Sequence, residues 1–365
     1  MKLLSVIGTR PEAVKMAPIL LALDLEPAIS SQLCVTGQHR ALLRQALNFF
    51  SIVPDFDLDV MAPGQGLNRL AARLIARLDT MLEAVRPDRV IVQGDTTTAL
   101  AGALAAFHRG IPVAHVEAGL RTYCAAAPFP EEANRRTIAL LADMHFAPTP
   151  AAKANLAAER LHGEVFVTGN TGVDALQLAR AAIGDPPPRA AHARKLILVT
   201  CHRRESFGAP FAAICAALER LERRGDVEIA FPRHPNPALA GAPPAVPILP
   251  PLDLPDFLRL MLRADLILTD SGGVQEEAVT LGKPVVVLRD ATERPEGGAL
   301  LAGSDADRIV GAAQAHLDGL VEPAAPSCAY GDGGAAARIV DALLGRPVAE
   351  FVPGIGARDR LHQIG

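Results

Sequence analysis

Short apolar runs that alternate with longer segments of helical periodicity are the feature that most constrains how this chain folds. Between the runs lie segments such as 67–86, where apolar positions recur at three and four residues. The runs are nearly continuous in apolar residues, which is typical of parallel strands buried on both faces. They comprise residues 2–8, 32–37, 88–94, 111–117, 143–149, 165–169, 195–200, 227–234, 266–272 and 283–289. The pattern predicts an α/β fold with parallel sheets covered by helices.

The length of the chain and a break in this rhythm predict two domains. The chain has 365 residues, of which 50% are hydrophobic, and this is enough for two well-packed domains. Three consecutive prolines interrupt the β-α rhythm within residues 184–194, and a fresh strand pattern starts at Lys195. We predict two Rossmann-like domains with a central cleft, although a surface loop within one domain would produce the same break.

Charge and composition limit the partners that this chain can have. The formal net charge is -4 and no Lys/Arg-rich block occurs, so we expect neither a nucleic-acid nor an anionic-membrane partner. No stretch reaches the roughly 20 apolar residues that a membrane span requires. The apolar run at the N-terminus meets Arg10, Pro11 and Glu12 too early for a signal peptide, which predicts a cytoplasmic protein.

Neither a metal site nor a cofactor site is indicated. The cysteines are far apart, odd in number and never in a C-x-x-C pair, which predicts reduced, buried thiols without zinc or disulfides. They are Cys34, Cys124, Cys201, Cys215 and Cys328. No G-x-G-x-x-G run occurs, so a dinucleotide cofactor has no support and we expect no cofactor.

Three acidic residues in the first half of the chain lie at or near predicted strand ends. Asp95 directly follows one strand, Glu117 ends the next, and Glu131 lies in the run PFPEEANRR. Open parallel sheets place their chemistry at the carboxyl ends of strands. We therefore predict an acid/base site there, with cations beside it.

The run GTRPEAVKMAP at 8–18 predicts an anion site. It follows a strand and leads into a helix with Pro11 in its first turn, as helix starts prefer. Backbone N–H groups at a helix start, together with Arg10 and Lys15, are suited to hold an anion. A βα turn with surface cations is the plainer interpretation.

Two further strand ends in the second half of the chain suggest phosphate binding. His202 lies at a strand end beside two arginines, which suits a phosphate ligand, although a lone histidine is more often structural. In DSGGVQEEA, the backbone of Ser271, Gly272 and Gly273 can approach a diphosphate. Glu276 or Glu277 is then expected to reach a ribose diol. The alternative is a helix N-terminus with favourable acidic residues.

A loop after the last predicted strand completes the candidate site. In VLRDATERPEGG at 286–298, Arg289, Thr292, Glu293 and Arg294 lie where a loop could close on a ligand. Carboxylates from the first half and anion-holding groups mostly from the second predict an enzyme that binds a nucleoside diphosphate conjugate. It would perform acid/base chemistry on the attached group.

These motifs, in this order and spacing, closely resemble those of the non-hydrolysing UDP-N-acetylglucosamine 2-epimerases. The resemblance runs from residue 3 to about residue 345 and rests on GTRPEAVKMAP, QHR, QGDTTTALA, HVEAGLRT, PFPEEANRR, TGN, HRRESFG, DSGGVQEEA and LRDATERPEGG. It implies a glycosyltransferase-B-like fold, a homodimer, and a C-terminal helix that crosses back to the first domain. The implied domains are residues 1–169 with the carboxylates, residues 170–345 with the UDP site, and a C-terminal segment, 346–365, packing on the first domain.

The family reaction accounts for the carboxylates. Carbon 2 of an N-acetylhexosamine has no adjacent carbonyl, so its proton is too weakly acidic for direct removal. Without a dinucleotide fingerprint, oxidation of a neighbouring alcohol is unsupported, and elimination of UDP across C1–C2 remains. The resemblance thus implies reversible conversion of UDP-N-acetylglucosamine to UDP-N-acetylmannosamine through a 2-acetamidoglucal.

The resemblance also assigns roles to individual residues. It implies catalysis by Asp95, Glu117, Glu131 and His202. It implies substrate contacts by Arg10, Lys15, Phe257, Ser271, Gly272, Gly273, Glu277 and Arg294, with Glu277 at the ribose and Phe257 at the uracil. A core position for Phe257 is the alternative.

Two features of the sequence leave the substrate and its regulation open. Gln38, His39, Arg40 and Arg73 match an allosteric pocket of bacterial relatives, but Ala41 replaces a polar residue there. The segment TYCAAAPFP is plainer than in most relatives, so a modified sugar such as a UDP-diacetamido uronic acid is a second possible substrate. A hydrolysing 2-epimerase, a glycosyltransferase and a non-catalytic nucleotide-sugar sensor are three competing hypotheses for the function.

Overall fold

The structure is a computed structural model in which two compact units each contain a parallel sheet. It describes residues 1–37, 40–62, 64–187, 190, 192–201, 203, 206–233, 246–290, 292–294, 296–322 and 324–354. Unit 1 comprises residues 1–175 and the segment from Gly331 onward, and unit 2 comprises residues 176–330. Over these described ranges the predicted α/β class with two Rossmann-like units is confirmed.

In unit 1 the described residues form a seven-stranded parallel sheet with the order β3-β2-β1-β4-β5-β6-β7. The strands are β1 (Lys2–Ile7), β2 (Ser30–Val35), β3 (Phe56–Asp57), β4 (Arg89–Gln93), β5 (Val113–Val116), β6 (Met144–Ala147) and β7 (Glu164–Val167). The helices are α1 (Arg10–Asp24), α2 (Arg40–Phe49), α3 (Leu67–Val85), α4 (Thr97–His108), α5 (Glu131–Leu141), α6 (Pro150–Ala158) and α7 (Thr171–Ile183), within which the division between the units falls.

Both faces of the unit 1 sheet are buried, as the continuous apolar runs predict. Leu3 and Ile7 of β1 belong to a core formed with α1 and α2, whereas Leu4 and Val6 belong to a second core formed with α3 and α4. Successive side chains of a strand point to opposite faces, so a strand covered on both sides must be apolar throughout.

In unit 2 the described residues form a six-stranded sheet with the order β10-β9-β8-β11-β12-β13, again parallel. The strands are β8 (Lys195–Thr200), β9 (Val227–Pro232), β10 (Ile248–Leu249), β11 (Leu266–Thr269), β12 (Val285–Val287) and β13 (Leu300–Leu301). The helices are α8 (Ala209–Glu222), α9 (Leu254–Arg263), α10 (Gly272–Thr280) and α11 (Ala306–Leu317).

The last helix belongs to unit 1, which differs from the predicted domain limits. The sequence interpretation assigned residues up to 345 to the second domain, but α12 (Ala335–Leu343) buries Ile339 and Leu343 in the same core as α1. The chain therefore crosses back before α12. The following segment also packs on unit 1, where the Phe351 N–H donates to the carbonyl oxygen of Val167 in β7 at 2.7 Å.

Two expectations about membranes and thiols are addressed directly by the structure. Within the described ranges, no helix is long and apolar enough to cross a lipid bilayer. All five cysteines are free thiols; Cys34, Cys201 and Cys215 are buried as predicted, and burial raises the pKa of Cys34 to about 12. The expectation of burial is wrong for Cys124, which lies exposed in an irregular loop.

Candidate active site

The carboxyl ends of two adjacent strands bring Asp95 and Glu117 to the same edge of the unit 1 sheet. Gln93, the last residue of β4, is paired with Val116, the last residue of β5. Asp95 follows β4 after one glycine, and Glu117 follows β5 directly. Glu117 has a φ of 62°, a left-handed conformation that non-glycine residues seldom adopt and that is concentrated at functional sites.

Glu117 is held by two polar side chains of neighbouring elements. The Lys15 ammonium of α1 lies 2.7 Å from its carboxylate, and the Gln93 side-chain amide donates to the same oxygen. Lys15 was predicted to contact a diphosphate. In the structure it pairs with Glu117, so its charge lies beside one of the predicted catalytic acids.

Asp95 is held by helix α5, the helix that begins with Glu131. The Arg135 guanidinium lies 2.5 Å from the Asp95 carboxylate, and the Asn134 side-chain amide donates to the Asp95 carbonyl at 2.8 Å. The Arg135 side chain is 4% exposed and that of Asp95 is 26% exposed, so the cation is enclosed while the acid stays accessible. Glu131, half-buried, occupies the start of the helix, where a negative charge is favoured.

A buried histidine fixes the turn that carries Asp95. His115 Nε2 lies 2.7 Å from the carbonyl oxygen of Gly94, and because that oxygen can only accept, Nε2 carries the proton. Burial lowers the pKa of His115 to about 3, which keeps the ring neutral. His115 is therefore a structural residue of the site rather than an acid or a base.

The backbone of the segment between Glu117 and Glu131 is hydrogen-bonded to a side chain of α5. The buried Glu132 carboxylate accepts from the backbone N–H groups of Thr122 and Tyr123 at 3.1 and 3.0 Å. Arg121 binds Glu159 through two contacts of 2.8 Å. Arg121 is therefore paired with Glu159, whereas Arg135 is the arginine that lies beside Asp95.

The helix start that was predicted to hold an anion is formed as expected. Helix α1 begins at Arg10, and Thr9 caps it by accepting from the Glu12 backbone N–H. Arg10 is half-buried at this N-terminus, directly after β1. Strand β1 lies next to β4, so Arg10 and Asp95 follow adjacent strands.

In unit 2 the predicted diphosphate loop is also a strand-to-helix turn. Ser271 follows β11 and caps α10, with its hydroxyl accepting from the Val274 N–H at 3.5 Å. A Cβ at Gly273 would lie 4.0 Å from the Ser271 Oγ, an ordinary van der Waals contact. A Cβ at Gly272, in contrast, would lie 2.6 Å from the Cζ atom of Arg294. The space at Gly273 and the helix N-terminus are the features that suit a phosphate.

The predicted substrate residue Arg294 is committed to two carboxylates of its own unit. Its guanidinium lies 2.6 Å from Glu276 and also pairs with Glu293. Its carbonyl oxygen accepts from the Gln275 amide and the Tyr330 hydroxyl at 2.7 and 3.0 Å. Glu276 is thereby used for this ion pair, and Glu277 remains half-buried on α10.

The loop after β8 is anchored by a buried carboxylate. Asp270 accepts from the Arg203 backbone N–H at 2.9 Å and from the Ser206 hydroxyl at 2.8 Å. The Arg203 guanidinium lies 3.3 Å from Glu293, and Arg289 lies 2.9 Å from the same carboxylate. Asp270 and Glu293 therefore organise the loops on either side of Ser271.

The remaining predicted residues are placed as follows. Phe257 is partly exposed on α9, whose buried face carries Leu258 and Met261, so it is not a core phenylalanine. Arg73 donates to the Val60 carbonyl and the Gln65 side chain, both at 3.2 Å. Gln38, His39, His202 and the side chain of Arg40 lie outside the described residues. Within the described part of the chain, no group of three or more His, Cys, Asp or Glu residues could hold a metal ion.

Sequence reasoning missed the side chains that hold the acids. Gln93, Asn134 and Arg135 contact Glu117 or Asp95 but were not among the predicted residues. One signal was available, because Asn134 and Arg135 lie three and four residues after Glu131 and therefore share its helix face.

Comparisons with known proteins identify the family to which the chain belongs. The family model described as UDP-N-acetylglucosamine 2-epimerase matches residues 21–344. The UDP-N-acetylglucosamine 2-epimerase of Salmonella typhimurium is 47% identical, with 94% of this chain and 98% of that protein covered. The crystal structure of UDP-GlcNAc 2-epimerase from Neisseria meningitidis bound to UDP-GlcNAc has a TM-score of 0.88 at 40% identity, covering 95% of this chain and 100% of that one.

A more distant likeness concerns the fold alone. The glycotransferase of kitacinnamycin is 16% identical with a TM-score of 0.56, and covers 95% of this chain and 98% of its own. This likeness agrees with the glycosyltransferase-B-like fold class. The resemblance inferred from the motifs is confirmed: the chain belongs to the UDP-N-acetylglucosamine 2-epimerase family of enzymes.

Proposed function

We propose that this protein interconverts UDP-N-acetylglucosamine and UDP-N-acetylmannosamine by eliminating UDP and adding it back. Family membership supports the reaction class, and the relative from Neisseria meningitidis was crystallised with UDP-GlcNAc. The observation that carries the proposal is the arrangement at the unit 1 sheet edge. There Asp95 and Glu117 follow adjacent strands, and the helix that begins with Glu131 holds Asp95.

The chemistry requires that a proton leave C2 and return from the other face. In the first step a carboxylate takes the C2 proton, the C–H electron pair forms the C1=C2 double bond, and the C1–O bond breaks toward UDP. The products of this step are 2-acetamidoglucal and UDP. In the reverse step a UDP oxygen bonds to C1 while an acid on the opposite face delivers a proton to C2. Inverted C2 stereochemistry follows because the two faces use different acids.

The unit 1 acids are assigned to this proton transfer. Asp95 remains partly exposed and is oriented by Arg135 and Asn134, so its position is defined without its being enclosed. Glu117 is held by the Lys15 ammonium and the Gln93 side-chain amide, so its position is defined as well. Glu131 is the third acid, and the cationic charge that develops at C1 is stabilised by carboxylates held in place beforehand.

The leaving group must be retained for the reverse step. We assign this role to Arg10 at the start of α1, and to Ser271 and Gly273 at the start of α10, because helix N-termini present N–H groups to phosphate. Glu277 is assigned to the ribose and Phe257, which is partly exposed, to the uracil. His202 is assigned to the reacting end of the diphosphate, as the family resemblance implies. Arg294, bound to Glu276 and Glu293, would shape this loop as well as contact the substrate.

Incubation with UDP-N-acetylglucosamine in heavy water tests the proposal. We expect deuterium at C2 of the recovered UDP-sugars and the appearance of UDP-N-acetylmannosamine, both followed by nuclear magnetic resonance. Free N-acetylmannosamine would instead indicate a hydrolysing enzyme. Recovery of unlabelled, unchanged substrate would contradict the proposed reaction, and the same assay with a UDP-diacetamido uronic acid would then test the modified-sugar alternative.

Two further proposals follow from the resemblance. We propose that the protein is a homodimer, which sedimentation of the purified chain tests directly. We also propose residues 1–169 as the catalytic domain and residues 170–345 as the UDP-binding domain, with the amendment that α12 packs within unit 1. The allosteric pocket at Gln38, His39, Arg40 and Arg73 stays a prediction, and sigmoidal dependence of the rate on substrate concentration is its readout.

A further inference from the structure

A buried carboxylate outside the predicted site joins two of its loops. Glu12, in the first turn of α1, is 1% exposed. One of its oxygens accepts from the backbone N–H groups of Gly8 and Thr9 at 3.1 and 2.7 Å. The other accepts from the Thr96 hydroxyl at 2.8 Å. Glu12 therefore contacts both the turn after β1 and the turn after β4.

Each of these turns presents a residue of the candidate site. Gly8 and Thr9 immediately precede Arg10, and Thr96 immediately follows Asp95. The Thr96 hydroxyl also accepts from the Ala99 N–H at 3.0 Å as the cap of α4, so its proton is free to be donated to Glu12. The carboxylate consequently links the start of α1 to the start of α4.

Helix capping alone does not explain this arrangement. A capping box needs one Glu oxygen on the cap N–H, and such a side chain gains nothing from burial. Here the second oxygen reaches another helix, and among the described residues no cation pairs with the carboxylate. Burial raises the pKa of Glu12 to about 7, which marks a cost that capping does not require.

The surrounding packing keeps the two turns close. A Cβ at Gly8 would collide with the Thr98 hydroxyl in the first turn of α4 and would lie 2.6 Å from the Thr36 hydroxyl. Thr36 and Thr98 are themselves hydrogen-bonded at 3.1 Å. The contact between the two turns therefore depends on the absence of a side chain at Gly8 and on hydrogen bonds between small side chains. When these hydrogen bonds are formed, the turns have little freedom to move relative to each other.

We propose that Glu12 is a positioning residue for the epimerase reaction, whose carboxylate fixes the turn that presents Arg10 relative to the turn that presents Asp95. This inference depends on the proposed function. Catalysis requires that Arg10, which contacts the leaving group, and Asp95 be held at the correct distance from each other. Binding of UDP requires the anion-holding groups but does not require Asp95. Loss of Glu12 should therefore lower kcat more than it weakens UDP binding.

A double-mutant cycle between Glu12 and Thr96 tests the link. We expect Glu12→Ala and Thr96→Val each to lower kcat by about 10- to 100-fold, since small misplacements of reacting groups have effects of this size. The double variant should fall no more than about 3-fold below the slower single variant, because both changes break the same hydrogen bond. The dissociation constant of UDP should change by less than about 3-fold in either single variant.

Two controls separate positioning from capping. Thr9→Ala removes the acceptor for the Glu12 backbone N–H and the contact of the Thr9 hydroxyl with the Glu12 side chain, but it leaves the Thr96 hydrogen bond to the carboxylate in place, so kcat should stay within about 3-fold of the wild-type value. Glu12→Gln can accept from Gly8 and Thr9 and donate to Thr96, and should retain kcat within about 3-fold. Equal losses in Thr9→Ala and Glu12→Ala, or multiplicative losses in the double variant, would overturn the inference.

The outcomes also separate this inference from the proposed reaction. A wild-type protein that does not exchange the C2 hydrogen contradicts the reaction itself. An active wild-type protein whose Thr96→Val variant keeps kcat within about 3-fold contradicts only the role of Glu12. If Glu12→Ala shows no cooperative melting, Thr96→Val and Glu12→Gln decide the question on their own.

Discussion

Ion pairs in the two units differ in what they leave accessible. In unit 1, Arg135 is 4% exposed while its partner Asp95 is 26% exposed. In unit 2, Arg294 is 8% exposed and its partners Glu276 and Glu293 are 4% and 1% exposed. The first pair encloses the cation and presents the acid, whereas the second encloses both charges. An enclosed pair can shape a loop, but only an accessible group can exchange a proton with a substrate.

The distinction separates residues that react from residues that position. It supports the proposed role of Asp95 in the chemistry, and it gives Glu276 and Glu293 a role in holding Arg294. It also predicts that substitutions at the two pairs have opposite signatures. Changes at Asp95 should reduce turnover with little loss of stability, and changes at Arg294 should reduce stability first.

The largest expected effect is that of Asp95→Asn on turnover. The amide can still accept a hydrogen bond from Arg135 but cannot take or deliver the C2 proton, so we expect kcat to fall by about 10²- to 10⁴-fold. The dissociation constant of UDP, measured by calorimetry, should remain close to the wild-type value. The exposed Asp24→Asn is the matched control and should leave kcat unchanged. More than half of the activity remaining in Asp95→Asn would remove this residue from the mechanism.

The next effect is the loss of stability in Arg294→Met. This change removes the Arg294 guanidinium from the buried carboxylates of Glu276 and Glu293, and removal of one partner from a buried pair costs about 3–5 kcal/mol. Denaturation followed by circular dichroism measures the loss. Arg259→Met is the control, because its pair with Asp256 is exposed and should contribute less than about 1 kcal/mol. Equal stabilities of the two variants would contradict the comparison.

The fold was predictable because it depends on patterns that are local in sequence. The predicted strand at 88–94 and the predicted helix at 67–86 correspond closely to β4 and α3. The edge strands β3, β10 and β13 were not predicted, since two residues cannot display a periodicity. The return of a C-terminal helix to the first domain was implied by the family resemblance and not by periodicity, because the apolar face of α12 identifies it as a packed helix without identifying its partner.

The sequence predicted which residues form the candidate site better than it predicted which side chains contact each other there. Asp95 and Glu117 could be located because strand ends are recognisable in sequence. Their contacts with Arg135 and Gln93 depend on how the elements pack in three dimensions, which the sequence pattern does not give. Arg294 illustrates the same limit of prediction from sequence. A cation in a loop near predicted phosphate-binding turns suggests a contact with the ligand. Its actual partner Glu276 lies on α10, and sequence spacing does not decide between a carboxylate and a phosphate.

Glu12 extends the comparison to a buried acid that has no cation among its described partners. Its pKa in the folded protein is about 7 against an ordinary value of 4.5, so the folded state favours the protonated form. The stabilisation is complete below pH 4.5 and is lost as the pH rises through 7. Relative to Glu12→Gln, wild-type stability should therefore decrease by about 3 kcal/mol between pH 4.5 and 8, measured by denaturant titration. A difference between the two proteins that does not change with pH would show that burial does not shift this group.

The smallest expected effect concerns two adjacent glycines at the start of α10. In Gly272→Ala the new Cβ meets the Arg294 guanidinium, which cannot withdraw without breaking its pairs with Glu276 and Glu293, so we expect a loss of about 1–3 kcal/mol in stability. In Gly273→Ala the Cβ would lie 4.0 Å from the Ser271 Oγ, an ordinary contact, and stability should change by less than about 1 kcal/mol. UDP affinity should respond in the opposite order, because the methyl group at Gly273 occupies space assigned to the phosphate. A Gly273→Ala variant that binds UDP as tightly as the wild-type protein would move the phosphate away from this turn.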